Sequence, residues 1–261
     1  MKRTHITPDL SQFPEELHVL LEHGSVFDSS CSKAARVFYL DAEGGLFLKT
    51  AAAGSLKTEA DMTRYFHEKK LSTEVVCYLT DDHDWLLTRR IPGEDCVFPA
   101  YLDDPKRLCD TLAQLLRQLH ETSFEGCPVP NRCDAYRKTA RRNYAAGFCD
   151  LSLFPEKWGF ASAEEAWAIV QANGNHLKND TLLHGDYCLP NILLDDWRFS
   201  GFIDLDSSGV GDRHIDLFWG VWTLFFNLKT NVYYDRFLDA YGRERIEPEL
   251  LRTVAAFEVF G

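Results

Sequence analysis

Positive charge is what this chain is short of. Its 261 residues carry 28 Lys+Arg against 40 Asp+Glu, a formal net charge of −12. Such a surface repels phosphate backbones and anionic lipid, which argues against nucleic acid or membrane as a partner, and it tolerates a cationic one. The eight cysteines (Cys31, Cys77, Cys96, Cys109, Cys127, Cys133, Cys149, Cys188) include no C-x-x-C pair, and the nine histidines include no H-E-x-x-H. Neither pattern makes a case for zinc. The opening MKRTHITPDLSQFPEEL has no apolar run of the kind a secretory signal needs. The longest apolar stretch, Leu217 to Phe226, is about ten residues, roughly half a membrane span. Together these absences predict reduced thiols and a cytoplasmic protein. There is no internal repeat and no low-complexity linker. With 45% apolar and 26% charged residues, the chain has the mix of a globular protein with a real core, as one large domain or two small ones.

The first ninety residues read as strand-rich. The runs Ala35–Asp41 and Gly45–Thr50 flank Glu43-Gly44 and predict a hairpin. A helix follows, with Ser55 as N-cap and Leu56, Ala60, Met62 and Phe66 on one face. VVCYLTDDHDWLLTRR then predicts two strands around an acidic turn, and Ile91-Pro92-Gly93 breaks the pattern. Beyond it the chain turns mainly helical. Asp104-Pro105 opens a helix with Leu108, Leu112, Leu115, Leu116 and Leu119 in one stripe, and Ser162-Ala163-Glu164-Glu165 has the capping-box form. LLDD and FSGFIDLD read as a strand pair. Helices resume with IDLFWGVWTLFF and close with PELLRTVAAFEVF. The expectation is an α+β protein of two lobes. A small antiparallel-sheet lobe with one helix spans 1–90, a larger mainly helical lobe spans 91–261, and the hinge lies near 89–93.

Chemistry concentrates in LLHGDYCLPNILLDDWRFSGFIDLDSSG, which holds His184-Gly185-Asp186, Asn191 and Asp204. H-G-D-x4-N arises by chance roughly once per thousand chains of this length at average residue usage, so the match is signal. Moving a phosphoryl group from a nucleotide to a hydroxyl needs a carboxylate to receive the proton and a divalent cation held by oxygen ligands. Asp186 on a loop suits the first task. The Asn191 amide and the Asp204 carboxylate suit the second.

These segments resemble the catalytic and metal-binding region of the aminoglycoside phosphotransferases, most closely the 3′-type kinases, whose superfamily has a protein-kinase-like fold. The resemblance extends over LFLKT, LLRQLHETSFEGCP, LLHGDYCLPNILLDD, SGFIDLDSSGVGDRHIDL and AAFEVFG. It implies that Asp186 is the catalytic aspartate, that Asn191 and Asp204 bind Mg2+, and that Asp216 supports the catalytic loop from behind. It also implies ATP or GTP as phosphoryl donor. Lys49 would reach the α/β-phosphates and Glu59 would hold it, with Glu68 as the alternative carboxylate. The serine-rich stretch Ser29, Ser30, Ser32 stands where the family has a phosphate-facing loop. Arg89 to Pro92, including Ile91, would meet the purine edge through backbone groups. H-G-D in place of H-R-D, and only twelve positions between Asp204 and Asp216, leave no room for a protein kinase's activation segment.

A small, cationic acceptor such as an aminoglycoside calls for carboxylates around it. Asp150, Glu156 and Glu258 are the candidates. The chain departs from the 3′-type pattern after DRHIDL. Phe226 and Asn227 stand where that group usually has two acids, and Asp206-Ser207 stands where an arginine is common. These departures leave phosphoryl transfer intact and bear on the acceptor. The alternatives are a small-metabolite kinase acting on choline, homoserine or a sugar, and a nucleotide-binding regulatory module without catalysis. Monomer and dimer both remain open.

Overall fold

The computed structural model describes residues 3–30, 35–152 and 159–261. The chain divides into two compact units, and each is described by itself. The first runs to Gly93 and takes back Ser200–Asp206; the second holds Glu94–Phe199 and Ser207–Gly261. The second unit is therefore not one uninterrupted stretch after residue 90, as the reading of the sequence had it.

In the first unit the elements are β1 (Thr4–Ile6), α1 (Glu15–His23), β2 (Ser25–Asp28), β3 (Arg36–Asp41), β4 (Leu46–Ala52), α2 (Lys57–Glu68), β5 (Val75–Thr80) and β6 (His83–Arg89). The strands make one six-stranded sheet in the order β1-β2-β3-β4-β6-β5. Side-chain parity sorts its two faces. Leu46 and Leu48 of β4 join Phe38, Leu40, Trp85 and Leu87 in a core closed by Leu17 and Leu21 of α1. Lys49, opposite Leu86 in the register, falls on the other face, where Leu86 packs against Leu56 and Ala60 at the start of α2.

Two expectations are corrected here. Among its described residues the unit has two α-helices, not one. Residues Glu15 and Glu16 in the first turn and the Leu17/Leu21 pair mark α1 in the sequence as well. Nor does Ser55 cap α2. Its hydroxyl donates to the Ala52 carbonyl at 2.5 Å, and the N–H of Leu56 is taken by the fully buried Asp84 carboxylate at 2.8 Å. Asp84 comes from the far side of the "acidic turn", so a strand residue does the work of a local cap.

The second unit contains β7 (Glu94–Asp95), α3 (Pro99–Leu102), α4 (Pro105–Glu121), α5 (Arg132–Ala145), α6 (Ala163–Asn173), β8 (Thr181–Leu183), β9 (Ile192–Asp195), the start of β10 (Arg198–Phe202), β11 (Gly209–Gly211), α7 (Arg213–Leu228), α8 (Tyr234–Tyr241) and α9 (Pro248–Glu258). The Asp104 side chain caps α4 at 3.3 Å, and Leu108, Leu112, Leu116 and Leu119 are buried. Ser162 caps α6 as its sequence implies, while Glu165 reaches back to the N–H of Ala161 rather than that of Ser162. α4 packs on α7 and α8, and α6 and α7 pack on α9. β8 pairs with β11, which anchors both ends of the segment between them. Asp196 and Trp197, both with positive φ, turn the chain from β9 into β10. β10 stops at Phe202, so FSGFIDLD is a strand only in its first half.

Candidate active site

The segment after β8 is held from behind by one carboxylate. Asp216, fully buried on the first turn of α7, accepts the N–H of His184 at 2.8 Å and that of Gly185 at 2.7 Å. The buried imidazole of His120, at the end of α4, meets the same carboxylate at 3.1 Å and the Tyr241 hydroxyl at 2.8 Å. Burial pulls the His120 pKa below its ordinary value, against the pull of Asp216. A neutral ring that donates from Nε2 to Asp216 and accepts from Tyr241 at Nδ1 satisfies both contacts. Gly185 has φ +84, and a Cβ there would lie 1.8 Å from the Ser207 carbonyl oxygen. Only glycine fits.

This support presents Asp186, which is half-buried. The Asn191 amide nitrogen donates to the Asp186 backbone oxygen at 3.1 Å and to its carboxylate at 2.9 Å. With the nitrogen so used, the amide oxygen is the end of Asn191 that has lone pairs to offer. The N–H of Leu189 donates to Thr223 Oγ1 of α7 at 3.1 Å, and the buried Tyr187 hydroxyl donates to the Leu112 carbonyl at 2.8 Å. The loop is thus fixed to α4 and α7 at three points around Asp186.

In the first unit, Lys49 Nζ sits 2.7 Å from Glu59 and 2.6 Å from Asp204. Asp204 belongs to this unit because its segment is bonded there. Phe202 donates its N–H to Leu71 and receives the Ser72 hydroxyl, and its ring packs edge-on against Phe66. Asp204 itself has φ +62, an uncommon conformation for a residue with a Cβ. Burial disfavours the Lys49 charge, but Glu59 and Asp204 outweigh it and raise the pKa. Burial pushes Glu59 up to about 7 against the pull of Lys49, since two carboxylates share one ammonium. Glu68 is exposed on the far end of α2, so the lysine pairs with Glu59.

A hard divalent cation such as Mg2+ takes oxygen ligands, one or two from the protein and the rest from phosphates and water. The Asn191 amide oxygen and the Asp204 carboxylate are donors of that kind. Among the described residues no cluster of three or more His, Cys, Asp or Glu forms a complete protein cage.

The remaining expected residues fare differently. Ser29 is buried, with its N–H bonded to Val37, and Ser30 Oγ accepts the Val37 N–H at 3.0 Å. Both are tied to Val37 of β3. Ser32 lies outside the described residues, as does Glu156. The N–H of Arg89 is bonded to Glu74, its carbonyl accepts from Thr73, and its guanidinium pairs with Glu74 at 2.7 Å. Its backbone is engaged in the sheet, which corrects the expectation that position 89 meets a purine edge. Ile91 is buried, and its side chain fills the space left by the absent Cβ of Gly201. Asp150 is exposed, accepts from Ser152, and ties its N–H to the Val259 carbonyl beside the chain end.

Glu258 is no surface acid. It is 8% exposed, and its Oε1 receives the Tyr136 hydroxyl at 2.7 Å and the Trp219 indole N–H at 3.1 Å. Burial pushes its carboxyl up to about 7 against both donors, with Asp186 acting in the same direction as burial. Asn227 donates to the Thr223 carbonyl and hydroxyl, and the half-exposed Phe226 stacks on Trp222. Residues that sequence reasoning passed over are His120, Tyr241, Tyr136 and Trp219. His120 stands inside the LLRQLHETSFEGCP segment that carried the family likeness, so it had a signal; the others had none.

Residues 32–255 match the profile of the phosphotransferase enzyme family. The chain belongs to this family. Among curated relatives of this phosphotransferase, a probable aminoglycoside 3′-phosphotransferase of Lactococcus lactis is 48% identical over 254 residues, 97% of either chain. An aminoglycoside 3′-phosphotransferase of Streptomyces fradiae is 30% identical, over 80% of this chain and 81% of the other. The solved structure of an aminoglycoside-3′-phosphotransferase of type VIII superposes with a TM-score of 0.72 at 24% identity, over 95% of this chain and all of that one. An aminoglycoside phosphotransferase of Streptomyces rimosus, in complex with ADP and streptomycin, gives 0.69 at 22% identity, covering 97% of this chain and 100% of the other. The phosphotransferase therefore has the protein-kinase-like fold expected of it.

Proposed function

We propose that this phosphotransferase moves the γ-phosphate of ATP or GTP to a hydroxyl of an aminoglycoside, and so confers resistance to it. The observation that carries this reading is the 48% identity to a probable aminoglycoside 3′-phosphotransferase over nearly the whole length of both chains. Asp186, oriented by Asn191 and by the Asp216-held loop, takes the proton from the acceptor hydroxyl. The acceptor oxygen then bonds to the γ-phosphorus as the bond to the β–γ bridging oxygen breaks, and the proton passes from Asp186 to solvent. Lys49, held by Glu59, steadies the nucleotide phosphates. Asn191 and Asp204 would hold Mg2+, which when bound neutralises charge on the phosphate oxygens. The backbone edge for the purine falls after Arg90, since the N–H groups of Arg89 and Arg90 already have partners in the sheet. The seven described cysteines are all free thiols, which suits a cytoplasmic enzyme; no helix among the described residues is long and apolar enough to cross a membrane.

A coupled kinase assay over an aminoglycoside panel with both nucleotides, with product position read by NMR, tests this. Phosphorylated aminoglycoside is the expected product. Turnover of choline, homoserine or a sugar alone would move the protein to the metabolite-kinase reading, which the absence of acids at Phe226 and Asn227 favours. No phosphorylation of any acceptor would leave only a regulatory module.

A further inference from the structure

The loop that presents Asp186 is tied to α7 at two points about two helical turns apart. Asp216 takes the N–H groups of His184 and Gly185, and Thr223 takes that of Leu189 at 3.1 Å. Asp186 lies between the two ties. Leu189 opens the short 3₁₀ turn Leu189–Asn191, and its N–H is one that such a turn cannot satisfy from within. The Cys188 side chain makes no cap bond, Pro190 has no N–H, and Asn191 gives its own to the Cys188 carbonyl at 2.9 Å. The cap therefore comes from α7. Asn191 travels with this turn, and its amide donates to the Asp186 carboxylate.

Thr223 is a helix residue with a choice. A threonine in a helix divides between two χ1 rotamers, one of which turns the hydroxyl back on a carbonyl of the preceding turn. Asn227, one turn further on, removes the choice. Its amide nitrogen donates to the Thr223 carbonyl at 2.8 Å and to Thr223 Oγ1 at 3.2 Å. Both lone pairs of Oγ1 are then taken, one by Asn227 and one by Leu189. Thr223 and Leu189 are buried, so water offers no replacement for either bond. Only an amide can do this at position 227. The acid of the 3′-type pattern would have no hydrogen to give, and would set a negative charge against the Thr223 carbonyl oxygen.

We propose that Asn227 is a positioning residue of phosphoryl transfer: it locks the Thr223 rotamer, and through Thr223 and the Leu189 peptide it sets where Asp186 and Asn191 stand. A position that the 3′-type pattern gives to the acceptor serves the catalytic loop in this chain. The inference rests on Asp186 as the base of the proposed reaction. It follows that an acid restored at 227 brings no gain in acceptor binding and costs turnover.

The test uses the full-length enzyme with ATP and kanamycin in steady-state kinetics, and amide hydrogen exchange at Leu189 by NMR. Thr223→Val leaves the Leu189 N–H without an acceptor. It should lower kcat about 10- to 100-fold, the cost of misplacing a reacting group by an ångström. Thr223→Ser keeps the hydroxyl and should recover most of that loss. Asn227→Ala and Asn227→Asp should each lower kcat about 3- to 10-fold and speed Leu189 exchange by a similar factor, the share of one hydrogen bond. Both KM values should stay where they are. Because Asn227 acts through Thr223, adding Asn227→Ala to Thr223→Val should lower kcat no further, whereas a merely structural role would add its own loss. An unchanged kcat in Asn227→Ala, a lowered acceptor KM in Asn227→Asp, or additive losses in the double variant overturns the assignment, while wild-type turnover leaves the functional reading standing. If the wild type phosphorylates no acceptor at all, the functional reading itself fails, and the positioning role with it.

Discussion

Asp216 accepts the N–H of Gly185 at 2.7 Å, and this contact sets the path of the loop that presents Asp186. The second oxygen of the same carboxylate takes the His184 N–H, so one side chain fixes two successive peptides. Gly185→Ala would add a Cβ 1.8 Å from the Ser207 carbonyl at a φ that L residues rarely adopt. It should abolish turnover and lower the melting temperature. Asp216→Asn turns an acceptor into a donor facing an N–H, and should reduce kcat more than a hundredfold. Kinetics paired with thermal denaturation checks both.

Asp186→Asn should keep the fold, since an amide oxygen can still accept from Asn191, and should lose about 10^2- to 10^4-fold in kcat, the range of general-base assistance. Nucleotide affinity by calorimetry should be unaffected. Full activity in this variant would remove Asp186 from its role.

Removing Lys49 leaves Glu59 buried with no cation. Lys49→Met should destabilise the protein by about 3 kcal/mol, the low end for breaking a buried ion pair, because the lysine side chain is 21% exposed. Adding Glu59→Gln should recover part of that loss, as the uncompensated charge disappears. Both variants should raise the KM for nucleotide. Denaturant unfolding of the two variants against wild type reads the coupling.

Burial pushes the Glu258 carboxyl from its ordinary 4.5 up to about 7. A raised folded-state pKa means that its contribution to stability is complete below about 4.5 and is lost as pH rises through about 7. A cationic acceptor prefers the ionised form, so the acceptor KM should fall as pH rises from 6 to 8 (approximate bounds set by that pKa). Glu258→Gln should flatten both profiles. A steep KM profile surviving in that variant would assign the titration to another group.

His120 has the opposite sign. Its folded-state pKa is lowered by burial, so its contribution is present above about 6.5, its ordinary value, and is lost as pH falls through the lowered value. The imidazole should stay neutral in NMR titration at pH values where an exposed histidine is charged. The melting temperature should decline on acidification, less steeply in His120→Gln.

Local sequence pattern was enough for much of this protein. The H-G-D-x4-N spacing, the capped helices α4 and α6, the paired strands β5 and β6, and the parity that turns Lys49 away from Leu48 all depend on neighbours within a few residues. Such patterns reflect helical and strand periodicity, which the chain carries along its length. The family followed from these motifs as well.

Tertiary structure decided what depends on distant partners. Asp84, read as part of a turn, caps a helix 28 residues upstream. Glu258, read as one more surface acid, is buried between Tyr136 and Trp219, residues more than 100 and nearly 40 positions away. His120 and Asp216 meet across 96 positions. A charge is exposed or buried, and a carboxylate acid or base near pH 7, according to what packs around it, and no local pattern encodes that. The deficit of positive charge illustrates the division. The sequence establishes a surplus of acid; the folded chain decides that Asp216 holds a loop, that Glu59 holds a lysine, and that Glu258 is buried against Tyr136 and Trp219.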